Sequence, residues 1–149
     1  MAYQFQFEKV LDIRQREKEE ASAQYQHSLS TFESAAQKLY TVLKQKEQVE
    51  EEQRQALNTG LTIRDIQWQE SFMRQLDRSI MEFQQLVGKA RMKMNDDQAN
   101  LLVKNLEVKK IEKMREKDFE GYKDELKRLE SSLMDEVSIQ QYVNRGSQV

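Results

Sequence analysis

The side chains able to do chemistry are few. His27 is the only histidine among 149 residues, and there is no cysteine to join it. Neither a nucleophile–base pair nor a thiolate metal site can be assembled from that inventory. Glycine-rich phosphate loops, H-E-x-x-H and G-x-S-x-G are also missing from the sequence. Asp and Glu total 26, yet carboxylates do acid–base work only where a cleft desolvates them. With 4 Gly and no Pro, the chain has too few turn formers to build one. The expectation is a protein without catalytic, cofactor-binding or metal-ligating residues, in which His27 is a surface residue. The informative side chains are aromatic. Trp68, Phe72, Leu76, Ser79 and Phe83 recur at helical spacing and form one row beside the main apolar stripe. Large aromatics at the edge of a thin structure anchor protein partners, unless the neighbouring turn folds over them.

Long helices must carry that row. Apolar residues make up 38% of the chain and are spaced singly, as in a narrow seam rather than a thick core. A first helix is predicted from about residue 5 to 57, with a stripe of Phe7, Leu11, Ala21, Tyr25, Leu29, Phe32, Ala36, Leu39 and Leu43. The step Ala21–Tyr25–Leu29 shifts its phase, as a stutter does. Asn58–Thr62 is predicted to be a turn: Gly60 ends one helix, and Thr62 caps the next with Asp65 three residues on and a Leu61–Ile66 staple. A second helix, about 63–140, holds a heptad rhythm from Ile66 through Met73, Leu76, Ile80, Phe83, Val87 and Ala90 to Val108 and Ile111. Gln69, Asp97 and Lys104 interrupt it; beyond Arg115 it continues through Phe119 to Val137, past a weak point at Gly121, to a frayed tail at 141–149.

A short turn between two such stripes makes antiparallel neighbours. The predicted architecture is all-α: one coiled-coil domain over 1–149, a long antiparallel two-helix hairpin with arms of about 80 and 110 Å at 1.5 Å per residue. Phe5 then lies across from about residue 115, and residues 116–140 carry a stripe with no partner in the chain. Self-association, a fold-back at Gly121 or a second protein could cover it.

The formal charge of −2 gives no global field for nucleic acid or an anionic membrane. Nine basic residues face five acidic ones over 86–117, and four face seven over 118–149. No apolar run is long enough for a membrane span, so no direct membrane insertion is expected, and the expected location is cytoplasmic.

At the N-terminus Phe5, Phe7, Val10, Leu11, Arg14 and Glu17 spell F-x-F-x-x-V-L-x-x-R-x-x-E ahead of a helix rich in Glu, Gln and Lys. Motif, length and hairpin layout together resemble the FliJ family of flagellar export proteins. The resemblance implies a fold like the central coiled-coil stalk of rotary ATPases, and a non-enzymatic role in the flagellar type III export apparatus. Such a stalk binds the hexameric export ATPase and promotes assembly of its ring, contacts the cytoplasmic domain of the export-gate membrane protein, and interacts with export chaperones, at the cytoplasmic face of the cell membrane. The positions matching the family's gate-binding surface are Phe72, Leu76, Ser79 and Phe83, the last departing from the family's His; Trp68 joins them through the shared row. The ATPase-facing residues are taken by analogy as Phe5, Phe7, Leu11, Lys109, Lys110 and Lys113. The competing readings are a generic coiled-coil scaffold, and a secretion chaperone or adaptor that uses Leu126–Val137 to capture client helices.

Overall fold

The computed structural model describes residues 3–146, and they form two helices, α1 (Glu8–Thr59) and α2 (Ile63–Gly146), with no strand among them. The fold is all-α, an antiparallel two-helix coiled-coil hairpin. Contacts divide the chain into two units, Glu19–Val103 and the pair of segments Met1–Lys18 and Lys104–Val149.

In the 19–103 unit the backbone reverses at Gly60, whose φ of 85° is the left-handed conformation that a side chain disfavours. Thr62 then caps α2: its Oγ1 accepts the Asp65 N–H at 3.2 Å and its carbonyl accepts the Ile66 N–H at 3.1 Å. Asp65 adds a carboxylate to the first turn, where the helix dipole favours it. The best-packed part of the seam follows. Val42, Leu76 and Ile80 are buried, with Leu39, Val49, Phe72, Met73 and Phe83 packed against them. Each such side chain contributes about 1.5–3 kcal/mol through its burial.

The observed seam of α1 corrects the expected phase. Its inward positions include Ala21, Tyr25, Ser28, Phe32, Ala35, Leu39, Val42, Lys46 and Val49, alternating steps of four and three without a stutter. Leu29 and Ala36 fall to the border of the seam, and Leu43 is exposed. Apolarity misleads here because the helix buries a serine, Ser28, which is 4% exposed. On α2 the rhythm from Met73 onward and its polar members Gln69, Asp97 and Lys104 sit inward where the pattern places them, whereas Ile66, expected to open the rhythm, is exposed beside the turn.

In the other unit, Leu11 and Val108 are the buried apolar side chains among the described residues. Charged side chains flank them. Arg14 Nη1 lies 3.1 Å from Glu17 Oε2 and 3.3 Å from Glu107 Oε2, while Lys104 Nζ reaches the same two carboxylates at 3.5 and 3.8 Å. Glu8 and Arg115 pair at 3.6 Å, so the segments run antiparallel. Helix α1 starts at Glu8 rather than near residue 5, because Tyr3–Phe7 forms a strap across α2. The Tyr3 ring lies 5.1 Å from Phe119 and 5.3 Å from Tyr122, and its hydroxyl donates to Asp118 Oδ2 at 2.7 Å. Intrachain contact thus extends beyond residue 115. Helix α2 passes Gly121 unbroken and continues to Gly146, and every residue from 123 to 146 is exposed. The rest of the expected tail, 147–149, lies outside the described residues.

Candidate partner-binding site

The aromatic row of the 19–103 unit does not present itself as one surface. Trp68 is 67% exposed and stacks on Phe72, with ring centroids 5.5 Å apart and planes 4° apart. Phe72 is half-buried, with its other contacts on the core cluster. Leu76 is only 6% exposed and belongs to that cluster. Ser79 is half-buried at the seam's border, and Phe83 is half-buried within the seam, packed against the same cluster. A row built on steps of four drifts around a helix of 3.6 residues per turn, so its middle member enters the seam while its first stays outside. Trp68 is therefore the member available to a partner, and Phe72 holds it against the core cluster that includes Leu76. Beside them Lys46 Nζ meets Asp77 Oδ1 at 2.9 Å across the helices, and that carboxylate's hydrogen bond raises the lysine's pKa.

In the 1–18/104–149 unit the expected ATPase-facing residues also separate. Leu11 is 1% exposed and is a core residue. Phe5 is half-buried and Phe7 exposed, with their rings 5.8 Å apart. Lys109, Lys110 and Lys113 are all exposed on α2. Glu17 holds its carboxyl below the usual range, first because Arg14 donates to it and then, against a desolvation that acts the other way, because Lys104 lies close. Tyr3 is the residue of this unit that sequence reasoning missed. The signal was present in Tyr3, Phe5 and Phe7, aromatics at every second position, a period that no helix buries.

His27 is exposed on α1, beside an open groove of about 290 Å³ lined by Leu86, Ala90 and Lys93 among others. Among the described residues no group of three His, Asp or Glu is placed to hold a metal ion, and no helix is long and apolar enough to cross a membrane.

The profile of the flagellar FliJ protein family matches residues 3–147 of this chain. A flagellar FliJ protein of Bacillus subtilis (strain 168) is 40% identical over 146 residues, covering 98% of this chain and 99% of its own length. No solved structure matches the chain. With a match that runs from the aromatic strap to the end of α2, the chain belongs to the flagellar FliJ family.

Proposed function

We propose that this protein is a non-enzymatic component of the flagellar type III export apparatus, binding the hexameric export ATPase and promoting assembly of its ring while linking it to the cytoplasmic domain of the export gate and engaging export chaperones. The family carries the coarser part: a flagellar export component. The finer reading is supported above all by the exposed Trp68, stacked on half-buried Phe72, which the fold leaves uncovered although burying it would be favourable. On this reading Trp68 and Phe72 contact the gate, Leu76 holds Phe72 in place, and Ser79 and Phe83 complete the row. Lys109, Lys110 and Lys113, with Phe5 and Phe7, face the ATPase. The protein works in the cytoplasm, peripheral to the membrane.

Two variants test the assignment. In pull-downs with purified export ATPase and the gate's cytoplasmic domain, Trp68→Ala with Phe72→Ala is expected to lose the gate and keep the ATPase. Lys109→Glu, Lys110→Glu and Lys113→Glu together are expected to do the reverse at physiological salt. Retention of both partners by both variants would overturn the assignment in favour of a passive coiled-coil scaffold.

A further inference from the structure

Beyond the strap, α2 carries an exposed apolar stripe. Leu126, Leu129, Leu133 and Val137 are 41%, 57%, 61% and 48% exposed. On a helix turning about 100° per residue they fall within an arc of about 80°, the width of a two-helix seam. Carboxylates border it on both sides. Glu125 and Glu136 lie just outside the arc on the Leu129 side, and Glu130 lies just outside it on the Val137 side, where Lys123, at the strap end, packs over the Phe119 ring at 4.7 Å. All three carboxylates are exposed, and none forms an ion pair among the described residues.

These borders decide between occupants. A second copy seated antiparallel, with Leu129 across from Leu133 of the copy and the centre therefore at residue 131, sets Glu136 against Leu126 of the copy and brings Glu130 beside its own equivalent on one flank. A second copy seated parallel and in register sets Glu125 against Glu130 of the copy, since flanking residues five apart meet across a parallel seam. Either arrangement buries the leucines only by bringing carboxylates together, and like charges along a seam select against that partner. A helix bordered by Lys or Arg meets the same stripe with opposite charge on both flanks.

We infer that the 126–137 stripe of α2 is a docking surface for an amphipathic helix with a Leu-type apolar face and basic borders, and that its acidic borders exclude self-association. The surface is separate from the Trp68–Phe72 pair and from the Lys109–Lys113 cluster, so it adds a third contact and does not depend on the assignment of the other two. The occupant needs only about three helical turns to cover the four apolar residues.

The probe is a pair of synthetic helices of about three heptads, with Leu at the seam positions and either Lys or Glu at all flanking positions. Fluorescence anisotropy with the full chain at physiological salt is expected to show the Lys-bordered helix bound at least about tenfold more tightly than the Glu-bordered one. Leu129→Gln with Leu133→Gln removes the apolar seat without touching the hairpin or the protein's charge, and should abolish that binding. Glu125→Lys, Glu130→Lys and Glu136→Lys together should invert the preference. Equal binding of the two peptides, binding that survives the Leu variants, or a wild-type dimer in sedimentation that the Leu variants dissolve would each overturn the inference.

Discussion

Ser28 and Asp97 join α1 to α2 through a hydroxyl-to-carboxylate hydrogen bond inside the seam, at a level where a coiled coil ordinarily packs two aliphatic side chains. Ser28 Oγ also lies 2.9 Å from the Gln24 carbonyl, and Lys93 Nζ approaches Asp97 at 3.5 Å. The pair fixes which residues face each other, because sliding either helix by a turn leaves a buried carboxylate among apolar neighbours.

That arrangement costs stability. Ser28→Ala alone should lower the unfolding free energy by about 1–2 kcal/mol, since Asp97 stays in the seam with one partner fewer. Ser28→Ala combined with Asp97→Leu should raise it by about 1–4 kcal/mol, as replacing a buried polar pair with aliphatics does elsewhere. Urea titrations followed by circular dichroism read both signs, and a double variant no more stable than wild type would refute the account.

The same serine shows what the sequence could and could not disclose. The turn at Gly60, the cap at Thr62 and the inward placing of Asp97 followed from local chemistry that tertiary packing left alone. The phase of α1 did not. Leu29 and Leu43 are more apolar than Ser28 and as apolar as Val42, so a reading by hydropathy follows the leucines and invents a stutter. Only α2, by offering Asp97 and a strict heptad, makes the serine the inward residue. The aromatic row misled for a related reason: spacing puts Leu76 on the row, but the depth of the seam there, which takes Leu76 inside and leaves Trp68 out, depends on Val42 of the other helix.

Stability should separate the row's members. Leu76→Ala removes a core side chain and should cost about 2–5 kcal/mol. Trp68→Ala should cost under about 1 kcal/mol, because the indole is mostly exposed and its one ring partner keeps its core contacts. Thermal melts check this before any binding experiment. A large loss for Trp68→Ala would mean that the indole supports the fold.

Tyr3 should titrate late. Burial against Phe119 and Tyr122, then the hydrogen bond to Asp118, push its phenol up to about 12 from 10.0. A raised folded-state value means that the strap's contribution is fully present below the unfolded value and is lost as pH rises through about 12. The ultraviolet absorbance of tyrosinate should therefore show a late phase near pH 12, and Tyr3→Phe should remove it. Glu17 gives the opposite sign. Its lowered value means stability present above the ordinary 4.5 and lost as pH falls through the folded-state value, an acid dependence that Arg14→Ala should weaken.

Two glycines should respond in opposite directions to the same substitution. Nothing lies within 4 Å of a Cβ built on Gly60 or on Gly121, so neither site is closed by volume. Gly60 sits at a φ of +85°, where a Cβ strains the backbone, and Gly60→Ala should cost about 1–2 kcal/mol by weakening the turn that lets the two helices pair. Gly121 lies within α2, where alanine is the better helix former by about 0.5–1 kcal/mol. Gly121→Ala should therefore raise the helical signal of the segment beyond the strap while leaving the main unfolding midpoint nearly unchanged, because that segment makes few contacts that the midpoint reports. Circular dichroism melts of the two variants decide it: a stabilising Gly60→Ala would mean that the reversal does not need a left-handed residue, and a destabilising Gly121→Ala would mean that the glycine there serves a close approach absent from this structure.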